Sequence, residues 1–124
     1  MATVRYIVTN VDDSIAFYAG HLGFTVRQQF GPAMAILERD GLTLWLAGPA
    51  ASASRPMPGG AVPAPGGWNR FVIEVSDMEG LMTSMAAAGV RFRSPIVTGP
   101  GGRQVLCDDP SGNPIELFEP AGGR

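Results

Sequence analysis

Residues Asp108–Pro120 read DDPSGNPIELFEP, and the part that follows the glycine decides the fold because it has a counterpart earlier in the chain. Gly112–Pro120, GNPIELFEP, lies without a gap on Gly41–Pro49, GLTLWLAGP. The alignment pairs Leu44 with Ile115, Trp45 with Glu116, Leu46 with Leu117 and Pro49 with Pro120. Leucine and isoleucine recur at every second position in both stretches, the period of a strand with one buried face. The opposite face carries an indole in one copy and a carboxylate in the other, with Phe118 sharing the side of Glu116.

Working outward, the correspondence extends upstream. MAILERDG precedes the first copy and RQVLCDDPSG the second; before these lie FTVRQQF and VRFRSPIV, each a short β pattern after a glycine. Further upstream, VDDSIAFYAGHLGF and SDMEGLMTSMAAAGV carry apolar residues at helical spacing: Val11, Ile15, Tyr18 and Leu22 in one, Met78, Leu81, Met82 and Met85 in the other. Asp12, Asp13 or Asp77 suits a helix start, and Gly23 and Gly89 suit a left-handed stop. The Met stripe reads as core filling. Each helix follows an alternating strand. Val4, Tyr6 and Val8 oppose Thr3, Arg5 and Ile7; Phe71, Ile73 and Val75 oppose Arg70, Val72 and Glu74. The order strand, helix, strand, strand, strand therefore occurs twice, which predicts an α+β fold.

Between the copies, residues 48–67 read GPAASASRPMPGGAVPAPGG, with five prolines, five glycines and no apolar period, a linker or lid. At 124 residues and 45% hydrophobic content the chain predicts one domain: a first module over 1–47, the linker, a second module over 68–120 and a tail over 121–124. A net charge of -2 without a basic run argues against nucleic acid and acidic lipid as partners. Cys107, the single cysteine, cannot form an internal disulfide and reads as a buried strand residue. The first residues resemble neither a signal peptide nor a membrane span, so a cytoplasmic protein is expected.

The doubled order, SIAFYAGHLGF, FVIEVSDMEGLMTSMAAAGVRF and the closing DDPSGNPIELFEP together resemble the vicinal oxygen chelate superfamily, which holds glyoxalase I, bleomycin and fosfomycin resistance proteins and extradiol dioxygenases. The resemblance covers nearly the whole chain. It implies two βαβββ modules whose strands curve into a mixed sheet around a concave cleft, helices outside, and a homodimer as the common assembly. One scaffold in that superfamily hosts lyases, isomerases, dioxygenases and non-catalytic drug-binding proteins, so the resemblance speaks for fold and little for activity.

The resemblance also implies where metal ligands would stand: early in the first strand and in the middle of the last strand of each module, here Thr3, Trp45, Arg70 and Glu116. Only Glu116 is a good ligand. Indole offers no basic lone pair, and a permanently charged guanidinium repels a cation. His21, the only histidine, sits at a helix end, where it suits the negative end of the dipole. A zinc site takes at least three protein donors and an iron facial triad two histidines, and neither can be assembled from these residues. No metal or other cofactor is expected; the disfavoured alternative is a hard divalent ion on Glu116 and Glu74 with water.

Three roles then stand open for Glu116: a structural salt bridge with Arg70 or Arg5, a polar anchor for a ligand, or a general base with an arginine stabilising the developing oxyanion. Trp45, Trp68, Phe30, Met34 and Phe118 offer flat or adaptable apolar surface either as core or as ligand contacts. The expected ligand-binding set is thus Arg5, Phe30, Met34, Trp45, Trp68, Arg70, Glu74, Glu116 and Phe118, with Glu116 the one catalytic candidate. The expected function is metal-free binding of a small aromatic or polycyclic metabolite or antibiotic. The alternative is an enzyme of the same superfamily acting on a small carbonyl or aromatic metabolite with Glu116 as metal ligand or general base.

Overall fold

The computed structural model describes residues 2–122. In chain order the elements are β1 (Ala2–Ile7), α1 (Val11–Leu22), β2 (Thr25–Phe30), β3 (Met34–Arg39), β4 (Leu42–Ala47), β5 (Val72–Glu74), α2 (Met78–Ala87), β6 (Arg91–Phe92), β7 (Val97–Gly99), β8 (Gly102–Asp108) and β9 (Pro114–Pro120). They fall into two compact units. The first runs to Gly66 and includes Pro110–Gly112; the second comprises Gly67–Asp109 and the chain from Asn113 onward. Of the expected tail, 123 and 124 lie outside the described residues.

In the first unit the sheet order is β1-β4-β3-β2, with β1 parallel to β4 and the other pairs antiparallel. Alternation puts Tyr6, Leu37, Leu44 and Leu46 on the face that α1 covers with Val11, Phe17, Tyr18 and Leu22, and all of these are buried. Each fully buried leucine contributes about 1.5–3 kcal/mol relative to an exposed one. Asp40 (φ 47°) and Gly41 (φ 84°) are both left-handed, the two-residue turn whose twist suits the β3–β4 hairpin.

The start of α1 differs from the expectation. Asn10, not either aspartate, is the cap: its side chain accepts the Asp13 N–H at 2.9 Å. Asp12 and Asp13 occupy the first turn, where their charge complements the helix dipole without satisfying a backbone donor. Asp77 does cap α2, accepting from the Gly80 N–H, and Gly23 closes α1 in the left-handed conformation.

The second unit repeats the plan with two changes. Its sheet order is β5-β9-β8-β6, with β7 also paired to β8; β5 is parallel to β9. Ile73, Val105, Cys107, Ile115 and Leu117 are buried on the face covered by Met78 and Met85 of α2. The segment VRFRSPIV, expected as one strand, is split into β6 and β7 around Pro95, which has no N–H to donate to β8. The strand expected over 70–75 is assigned only three residues, yet the Glu116 N–H donates to the Phe71 carbonyl and the Val75 N–H to that of Phe118, extending the ladder at both ends.

The connection between β8 and β9 is closed by a buried polar pair. Both Asp109 carboxylate oxygens accept from Asn113, one from the backbone N–H at 2.9 Å and one from the side-chain amide at 3.1 Å. Asp109 and Asn113 are each 4% exposed, and their mutual hydrogen bonds remove the cost of burying them. Residues 48–67 are mostly exposed, with a 3-10 turn at Ser52–Ser54 and a tight turn in which the Met57 N–H reaches the Ala61 carbonyl.

Candidate functional site

In the first unit, register assembles the helix-free face of the sheet. Arg5 stands opposite Trp45, Trp45 opposite Ile36 and Ile36 opposite Gln28; one step along, Ile7, Ala47, Met34 and Phe30 form the adjacent row. A bulge between Val26 and Gln28 is what brings Phe30 onto this side. Four of the expected residues, Arg5, Phe30, Met34 and Trp45, therefore share one face. The Arg5 guanidinium lies over the Trp45 ring, 4.8 Å from its centroid, a cation–π arrangement. Phe30 is 48% exposed, so this face offers apolar surface to solvent.

The second unit builds its helix-free face the same way. Val72, Glu116 and Leu106 form one row and Glu74, Phe118 and Gln104 the next. Here the charge is committed. Arg70 donates to Glu116 Oε1 from both Nε (3.1 Å) and Nη2 (2.9 Å) and holds the Trp68 carbonyl with Nη1. The Glu116 side chain is only 12% exposed, and this pairing is what makes its desolvation tolerable. Trp68 stands outside the strands, 66% exposed, with Arg93 4.6 Å over its ring; Arg93 in turn pairs with Asp108 and donates to the Gly67 carbonyl.

A further cluster escaped the sequence reading. Arg103 bridges Glu119 and Glu79, donating to Glu119 Oε1 from Nε at 3.0 Å and to Glu79 Oε2 from Nη1 at 2.9 Å. The other Glu119 oxygen accepts the Met78 N–H at the start of α2. The Arg103 hydrogen bond, assisted by that of Met78, holds the Glu119 carboxyl below the usual carboxylate range, and the hydrogen bonds to Glu119 and then Glu79 raise Arg103. Arg103 and Glu119 line an open depression of about 390 Å³ together with Ser76, Thr98 and Gly102. The signal was available: closing the hairpin on the Asp108–Pro114 pair places Arg103 directly opposite Glu119. Cys107 is fully buried; burial, then the neighbouring Asp108 and Asp109, pushes its thiol up to about 12, out of nucleophilic use. His21 lies in the last turn of α1 with its ring edge-on to Phe17.

The positions where the resemblance would place metal ligands do not fit a divalent ion. Arg70 pairs with Glu116 Oε1, the Trp45 indole lies beneath Arg5, and Thr3 is exposed at the sheet edge. A guanidinium 2.9 Å from the one good donor would repel a cation bound there. Among the described residues no group of three or more His, Cys, Asp or Glu could hold a metal ion. No helix among them is long and apolar enough to cross a membrane.

Comparison with solved structures finds the same fold. A lactoylglutathione lyase from Agrobacterium tumefaciens superposes with a TM-score of 0.74 at 20% identity, covering 96% of this chain and 92% of that one. The fosfomycin resistance protein FosX from Listeria monocytogenes gives 0.73 at 14% identity, with 96% and 91% covered. A glyoxalase/bleomycin resistance protein/dioxygenase superfamily member from Sphaerobacter thermophilus gives 0.72 at 24% identity, with 96% and 95% covered. At these identities the likeness concerns fold alone. No curated protein matches significantly. The doubled strand–helix–strand plan and a family model that matches residues 1–117 agree, and the chain belongs to the Glyoxalase/Bleomycin resistance protein/Dioxygenase superfamily.

Proposed function

We propose that this chain binds a small planar organic molecule, an aromatic metabolite or antibiotic, without a resident metal ion. The observation that carries the reading is the Arg70–Glu116 pair: the one carboxylate at a position suited to ligation has a guanidinium on Oε1, whose charge opposes a cation there. Trp45, on the other face described, presents indole where a metalloenzyme needs a lone pair. What remains on these faces is stacking surface, exposed Phe30 and Val72 among it, with a few fixed polar groups, the composition of a small-molecule site. The superfamily also contains enzymes, but a base at Glu116 would work from Oε2 beside a guanidinium that favours its ionised, weakly basic form. A homodimer belongs to the same proposal, and light scattering tests it.

The test is a thermal-shift panel of planar natural products on protein purified without chelator, paired with elemental analysis. A binder should raise Tm by mass action, and Trp45→Ala should abolish that rise. Stoichiometric zinc, iron, nickel or manganese, or a panel in which every shift survives Trp45→Ala, would overturn the reading.

A further inference from the structure

The chain has no lysine, so every permanently cationic side chain is an arginine. Arg70, Arg93 and Arg103 each have carboxylate partners. Arg5 has none among the described residues: its guanidinium rests on the Trp45 ring, 4.8 Å from the centroid, and no described group accepts from it. Arg55 and Arg91 also stand outside any ion pair there, but no ring holds them. Stacking engages the flat face of a guanidinium, whereas its five N–H donors lie in the plane and point away from the ring. Arg5 is thus a cation placed beside the indole, its N–H donors taken by no described group. Next to it, the row containing Met34 and half-exposed Phe30 begins one strand step away, roughly 7 Å along the strands.

We infer that the helix-free face of the first unit takes a planar aromatic carboxylate, with the Arg5 fork on the carboxylate and the ring against Met34, Phe30 and the edge of Trp45. This rests on the proposed small-molecule function and adds the charge of the ligand to it. A fork-to-carboxylate pair gives two parallel charge-assisted hydrogen bonds.

Calorimetric titration of the full chain with naphthalene-2-carboxylate and with neutral naphthalene-2-carboxamide tests the inference. The carboxylate should bind at least about tenfold more tightly, with the advantage shrinking as salt is raised. Arg5→Gln should bring the two affinities together, and Arg5→Lys, which keeps the charge but loses the fork, should retain part of the difference. Equal affinities in the unmodified protein, with binding still lost in Trp45→Ala, would overturn the carboxylate preference and leave the planar-ligand reading standing. An acid preference that survives Arg5→Gln would overturn the assignment to Arg5. Failure of both compounds to bind at millimolar concentration would count against both readings. Because the acid–amide comparison is made in the unmodified chain, the carboxylate preference is tested whatever the variants do, and Arg5→Lys, which keeps the charge, checks that Arg5→Gln acts through the lost donors.

Discussion

The two units share a strand order but treat the arginine beside the helix-free face in opposite ways, although Arg27 and Arg39 of the first unit also pair with Glu38 and Asp40. In the first, Arg5 rests on Trp45 and keeps its donors; in the second, Arg70 and Arg93 give theirs to Glu116 and Asp108, and Trp68 sits beneath a guanidinium that is already neutralised. The faces under the helices, by contrast, are alike: Leu44 and Leu46 in one, Ile115 and Leu117 in the other, all fully buried. A duplicated scaffold thus keeps its apolar side under packing constraint while its open side is free to diverge, since a substitution there alters charge and shape without opening a cavity.

The comparison breaks first, if it breaks, in the core. Leu46→Ala and Leu117→Ala should each lower stability by about 2–5 kcal/mol, because both remove a fully buried side chain from the middle of a sheet. Denaturant unfolding with separate probes in each unit would show it. A loss under about 1 kcal/mol at either site would mean that the two faces are not equivalent.

A smaller effect separates the open faces. Arg70→Ala leaves the largely buried Glu116 carboxylate without its partner and should cost about 1–2 kcal/mol, with part regained in the double variant that adds Glu116→Gln. Arg5→Ala removes a solvent-facing cation–π contact and should cost less than about 1 kcal/mol. Equal losses from chemical denaturation would erase the distinction between a spent and an unspent arginine.

The smallest effect is one of pH. The Glu119 carboxyl is held below its ordinary range in the folded chain, so its contribution is present in full above that range and is lost as pH falls through the depressed folded value. Arg103→Ala removes the main cause. The acid limb of its stability curve should be flatter than that of the unmodified protein, and parallel limbs would show that the bridge has no energetic part.

Much of this was legible in the chain. The fold followed from period: alternate apolar residues around Trp45 and Glu116 fixed two strand faces, and helical spacing with Gly23 and Gly89 fixed both helices. The Arg70–Glu116 contact was legible too, since both residues lay on the polar sides of neighbouring strands. What the reading missed depended on geometry that composition does not display. Asn10 competes with two adjacent aspartates as a cap, and the winner is decided by which backbone is still extended where the helix begins. The Arg103–Glu119 bridge required hairpin register, and the place of Arg93 above Trp68 required knowing where a strand-flanking loop returns. The partner of Arg5 was ambiguous in sequence because Trp45 and Glu116 occupy equivalent places in the repeat.

Pro95 has an effect at the margin of the second sheet. By dividing the outermost strand into β6 and β7, two and three residues long, it leaves no long straight ribbon of unpaired amides there. A neighbouring molecule that adds a strand at this edge meets only a brief template, so the same imino acid that interrupts the repeat also shortens the pairing surface there.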